Sequence, residues 1–168
     1  MATLFVDKLD PQSGTTLEIG SSGDTVNVAG TAGTGFGKIL QIVTANLSSE
    51  GNTTSTSYAS TSLAASITPS ATSSKVLILM AGPVYQNTSS EDYIGTIYRG
   101  VSDIGGNGLG RLRSNGGGIG GNFAITYLDS PSTTSSTTYT YYHKVTSGTG
   151  YISINNLTST ITLLEVGA

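Results

Sequence analysis

His143, the only histidine of the chain, lies within Thr140-Tyr141-Tyr142-His143-Lys144-Val145. An imidazole can carry protons near neutral pH, but catalysis or metal binding needs partners of the right type. The chain has no cysteine and no second histidine, so it lacks the usual zinc ligands, and no Ser-His-acid arrangement is recognisable. Its ten carboxylates are scattered, with Glu91-Asp92 the one adjacent pair. Neighbouring residues of a strand point to opposite faces, which places such a pair badly for glycoside hydrolysis. Glu91-Asp92 is expected in a solvated loop, and no catalytic residue and no cofactor are assigned.

Two segments carry groups suited to binding. The glycine-rich stretch from Ser102 to Asn122 holds Arg111 and Arg113, which fall on one face of a short strand, Gly-Leu-Gly-Arg-Leu-Arg-Ser. Guanidinium groups so placed can meet carboxylates or phosphates on a host-surface glycan or a neighbouring protein; the plainer reading is a hairpin with solvated arginines. Tyr139, Tyr141, Tyr142 and Tyr151 are aromatic groups with hydrogen-bonding tips, suited to core, interface or sugar stacking. Of these, Tyr141 and Tyr142 are the candidates for ligand contact. Gly116-Gly117-Gly118-Ile119-Gly120-Gly121 has the letters of a dinucleotide fingerprint, but a strand pattern follows it where a helix is required. Gly37-Lys38 is followed by Ile39, so the hydroxyl of a phosphate loop is missing. Both matches are expected to be incidental.

The elements that must position these groups read as β throughout. Only 10% of the 168 residues are charged, while there are 23 glycines, with serine and threonine in every segment; this favours strands and turns over long helices. The net charge of −3 offers no cationic field for nucleic acid. No run reaches the roughly 18 apolar residues of a membrane span, and Met1 to Asp10 has no apolar core of signal-peptide length. The expected place of synthesis is therefore the cytoplasm, with no membrane insertion.

From residue 39 the pattern becomes a succession of about eight strands, expected to form a jelly-roll-like antiparallel β-sandwich over residues 39–168. Leu63, Ala65 and Ile67 alternate with polar or small residues, as in a strand with one buried face. Val76, Leu77, Ile78, Leu79 and Met80 are apolar without a break, so both faces of that strand must be covered. One face packs on the opposite sheet, and the other is expected at a subunit interface. Residues 1–38 read as an extended β attachment segment, in which Leu4, Phe5, Val6, Leu17, Ile19, Val26 and Val28 are apolar but too interrupted to enclose a core. These seven are expected to dock on a partner.

Val6-Asp7-Lys8-Leu9-Asp10-Pro11, followed by Leu17 to Val26, resembles the N-terminal portion of tail-fibre-like, virion-surface appendage proteins of marine and cyanobacterial bacteriophages. Ser66 to Leu77, Tyr127-Leu128-Asp129-Ser130-Pro131 and Ser159 to Val166 look like the head of the same group. The resemblance implies a non-enzymatic homotrimer on the virion surface. It would dock to other tail or capsid proteins through its N-terminus, and its β-sandwich head would face the host. A capsid decoration or cement protein and a carbohydrate-binding module are the alternative readings.

Overall fold

A computed structural model describes residues 39–167; the seven expected docking residues lie outside the described residues. The strands are β1 Ile39–Leu47, β2 Gly51–Thr53, β3 Ala59–Ile67, β4 Lys75–Gln86, β5 Asp92–Arg99, β6 Ser102–Asp103, β7 Gly110–Arg113, β8 Ile119–Asp129, β9 Thr137–Val145, β10 Gly150–Ile152 and β11 Ser159–Val166. The one helical element among the described residues is a 3-10 turn, Ile154–Asn156.

The strands form two antiparallel sheets. The first runs β1-β11-β4-β10-β2, with β8 on the other edge of β4; the second runs β3-β9-β5-β6, with β7 also paired to β5. Without the short β2, β6 and β10, the remaining strands pair first with last, second with seventh, third with sixth and fourth with fifth: β1 with β11, β3 with β9, β4 with β8 and β5 with β7. That nesting is one antiparallel ribbon folded over on itself, the jelly-roll form of an all-β sandwich.

Period-two alternation decides which side chains meet between the sheets. From the first sheet come Val76, Ile78, Met80 and Val84 of β4, Phe123 and Ile125 of β8, and Ile161 and Leu163 of β11. Leu63, Ala65 and Ile67 of β3, Tyr93 and Ile97 of β5, and Tyr139, Tyr141 and Val145 of β9 answer from the second. Strand β4 runs past Ala81, where its apolar run stops, through Pro83 to Gln86. Proline has no N–H to give to a ladder. It is accommodated because β11 pairs only as far as Ala81 and β10 takes over at Val84.

Two buried carboxylates close one end of the sandwich, flanking Val76 in register on β11 and β8. Glu165 accepts hydrogen bonds from the Ser70 backbone N–H at 2.7 Å, the Ser70 hydroxyl at 2.6 Å and Gln41 Nε2 at 2.6 Å. Asp129 accepts from Arg99 Nη1 at 2.9 and 3.0 Å and from the Tyr139 hydroxyl at 2.7 Å, tying the first sheet to the second.

Close packing also explains a glycine. A side chain at Gly95 would run into the hydroxyl and ring of Tyr141, which lies across that position. Gly95→Ala is expected to cost roughly 1–3 kcal/mol by overpacking, read from the urea midpoint at unchanged slope. A variant as stable as the parent would mean that the Tyr141 ring has room to move.

Candidate functional site

From the sequence, Val76, Leu77, Ile78, Leu79 and Met80 are all candidates for a subunit interface, with the outward face left open; the fold removes Val76, Ile78 and Met80 from that set. Each is no more than 2% exposed, enclosed by the second sheet of the same chain. Alternation sends their neighbours Leu77 and Leu79 to the outer face, where Leu79 is 38% exposed.

Register extends that face across four strands. Ile42 of β1 stands opposite Leu164 of β11, Leu164 opposite Leu77 of β4, and Leu77 opposite Leu128 of β8. The next row is Thr44, Thr162, Leu79 and Thr126. Ile42 and Leu128 are more than half exposed, as is Leu40 at the start of β1. Beside Leu79 a shallow depression is lined by Ala81, Ala124, Thr126, Thr160 and Thr162. Neither row contains a charged residue. Leu40, Ile42, Leu128 and Leu164 were not singled out from the sequence. The apolar pairs Ile39-Leu40 and Ile42-Val43, separated by Gln41, carry a weaker form of the two-faced signal of Val76 to Ala81.

The ligand candidates are divided between the inside and the second sheet. Tyr141 is 1% exposed and stacked on Phe123 with ring centroids 4.4 Å apart. It backs a cleft of about 200 Å3 between β7 and β8, so of the two ligand-contact candidates Tyr141 takes the core role that the sequence also allowed. Consecutive residues of β9 face opposite ways. Tyr142, half-buried on the outer face, stacks on Tyr98 at 3.8 Å.

Arg111 and Arg113 do share the outer face of β7, and both converge on Asp92. Arg111 Nε is 2.9 Å from Asp92 Oδ1, and Arg113 Nη1 is 3.3 Å from the same oxygen. Asp92 itself is 8% exposed. The expected solvated loop is thus corrected at Asp92, which opens β5 and stands in register with Arg113. Across β5, Arg111 is opposite Ile94 and Ile94 is opposite Lys144, whose Nζ sits 4.4 Å above the Tyr58 ring. Sequence spacing could not show that Asp92 anchors the pair, because the contact bridges two strands.

His143 is 2% exposed, and its Nδ1 shares a 2.9 Å hydrogen bond with the Tyr93 hydroxyl. Burial pushes its pKa down to about 4, so the ring is neutral at pH 7. It lies at the back of a cavity of about 120 Å3 that Glu50, Ser60 and Ser62 also line. For Glu165, burial alone would raise the pKa, but the hydrogen bonds from Ser70 and Gln41 hold it down at about 2. Among the described residues no three His, Cys, Asp or Glu side chains are grouped to hold a metal ion.

The fold thus defines the chain as an antiparallel β-sandwich with two uncharged rows on the outer face of one sheet, beside the exposed Lys75, and an arginine pair anchored on Asp92 on the other. No family model and no curated protein matches the sequence. A solved structure, that of infectious bursal disease virus Gx strain, is similar to 76% of this chain with 13% identity and a TM-score of 0.36. The matched region spans 37% of that chain, and a likeness so distant carries no functional argument.

Proposed function

We propose that the chain is a non-enzymatic structural component of a bacteriophage particle, a homotrimeric surface appendage. Its subunits associate through the outer face of the first sheet, and residues 1–38 dock to the particle. The observation that supports self-association is the register-matched row Ile42, Leu164, Leu77 and Leu128 with Leu79 beside it. A second copy suits these rows, because uncharged rows of one copy meet the same rows of another without repulsion. The sequence resemblance supports a trimeric state and a place on the virion surface.

Leu79→Asp combined with Leu128→Asp tests the reading by sedimentation of the full chain. Both side chains are on the outer face, so the variant should keep its far-UV spectrum and its core while sedimenting as a monomer. Each buried large apolar group is worth roughly 1.5–3 kcal/mol, so charges at both positions should weaken association by several orders of magnitude. A parent that is itself monomeric at micromolar concentration, or a double variant that remains a trimer, would rule out this face.

A further inference from the structure

We propose that the corner of the second sheet built on Arg111, Arg113 and Lys144 binds an acidic saccharide, one whose ring carries a carboxylate. This site lies on the sheet opposite the assembly face and does not rest on the assembly reading.

The charge distribution is the first argument. The described residues contain five cationic side chains, Lys75, Arg99, Arg111, Arg113 and Lys144. Three of them, Arg111 and Arg113 of β7 and Lys144 of β9, stand on the strands flanking β5, in a chain whose net charge is −3. Arg99 is committed to Asp129. At the corner Asp92, a buried carboxylate, faces two guanidinium groups, while the charge of Asp103 reaches the Tyr58 ring over which Lys144 sits. Lys144 has an aromatic ring and no carboxylate as its partner among the described residues.

Geometry is the second argument. Asp92 takes Arg111 by Nε, so the terminal nitrogens of that guanidinium are not used by this contact, and the side chain is 55% exposed. The buried anchor fixes the group before any ligand arrives, which lowers the entropy lost on binding. A fork of two N–H donors matches the two oxygens of a carboxylate. Beside it opens a hollow of about 360 Å3 lined by Ile94, Asn107, Gly108, Leu109, Gly110 and Arg111. Ile94 and Leu109 supply apolar contact for the face of a sugar ring. The Asn107 amide and the bare backbone at Gly108 and Gly110 are suited to ring hydroxyls. A side chain at Gly108 (φ 118°) would strike Ile94 and narrow the hollow. Three cations at one corner are too few for a long polyphosphate chain, whose binding requires many phosphates to be neutralised.

The full chain should be titrated calorimetrically with tri-galacturonic acid, with its fully methyl-esterified form, and with inorganic sulfate. The acid should bind, and the ester, which keeps the rings and removes the charge, should bind at least about tenfold more weakly. Arg111→Ala and Arg113→Ala should each weaken binding of the acid by roughly tenfold or more. Their melting temperature and sedimentation, measured alongside, should stay close to those of the parent. Absence of heat with millimolar acid, equal binding of acid and ester, or unchanged binding by both variants would overturn the proposal. Inorganic sulfate binding as tightly as the trisaccharide would make this a general anion site and overturn the saccharide assignment. A change in sedimentation without loss of binding would bear on the assembly face alone.

Discussion

Asp129→Ala is expected to destabilise the sandwich by roughly 3 kcal/mol, a large fraction of the stability of a domain this size. Removing the carboxylate leaves the Tyr139 hydroxyl, on a side chain with no exposed surface, without its acceptor. It also strips Arg99, whose side chain is 34% exposed, of the carboxylate that both Arg99–Asp129 hydrogen bonds reach. The two effects differ in origin and can be separated. Asp129→Asn keeps an acceptor for Tyr139 while discarding the charge, and should cost about half as much. Urea unfolding of the two variants measures both numbers. If Asp129→Ala lies within about 0.5 kcal/mol of the parent, the link between β8 and the second sheet is not a stabilising one.

The second large effect is a loss of stability in acid, in two steps that two buried groups set. His143 is held neutral in the fold with a pKa of about 4, against an ordinary 6.5. Below pH 6.5 the unfolded chain takes up a proton that the folded chain refuses, so stability falls until about pH 4. Glu165 is ionised in the fold down to about pH 2, against an ordinary 4.5. Its contribution is fully present above pH 4.5 and is lost as the pH falls towards 2. Each window spans a shift worth on the order of 3 kcal/mol. Stability measured from pH 8 to pH 2 should therefore decline first between 6.5 and 4, then again below 4.5. His143→Gln should abolish the first decline and leave the second, whereas Glu165→Gln should lower stability at pH 7 and flatten the acid limb. A parent profile that is level from pH 6.5 to 4 would contradict a neutral, buried imidazole.

Much of this architecture could be read from the order of residues. The limits of β1, the alternation of Leu63, Ala65 and Ile67, and the doubly apolar run at Val76 follow from a period of two, which needs no knowledge of partners. The all-β sandwich was legible for the same reason, although the sequence pattern counts Tyr151 to Ile154 among its eight strands where the nested ribbon uses β7. Strand β7 was harder to place, because Gly110–Arg113 lies in a glycine-rich stretch and is held by β5 rather than by its own composition. The continuation of β4 beyond Ala81 was hidden by Gly82 and Pro83, which are tolerated only because two partner strands change over there.

The sites divide along the same line. That Arg111 and Arg113 share a face follows from strand geometry alone. Their common anchor does not, since Asp92 reaches Arg113 through pairing across strands and Glu91-Asp92 has the composition of a loop. Val76 and Leu77 were equally apolar, and nothing in their types said which would face the opposite sheet. Register decides that, and register is a property of pairs.

The nested ribbon also fixes the order in which the chain can close. Strands β5 and β7 are joined through residues 100–109, which carry β6, and each further pair, β4 with β8, β3 with β9 and β1 with β11, joins residues farther apart in sequence. Closing a long loop directly costs more chain entropy than closing it after the inner pairs have shortened it. Folding should therefore zip outward from the β5, β6 and β7 unit, with β1 the last strand to dock. Since Leu40 and Ile42 belong to that last strand, the exposed apolar row is completed only when the fold itself is complete. A chain that has not finished folding lacks the finished contact surface, so the topology acts as a checkpoint on premature association.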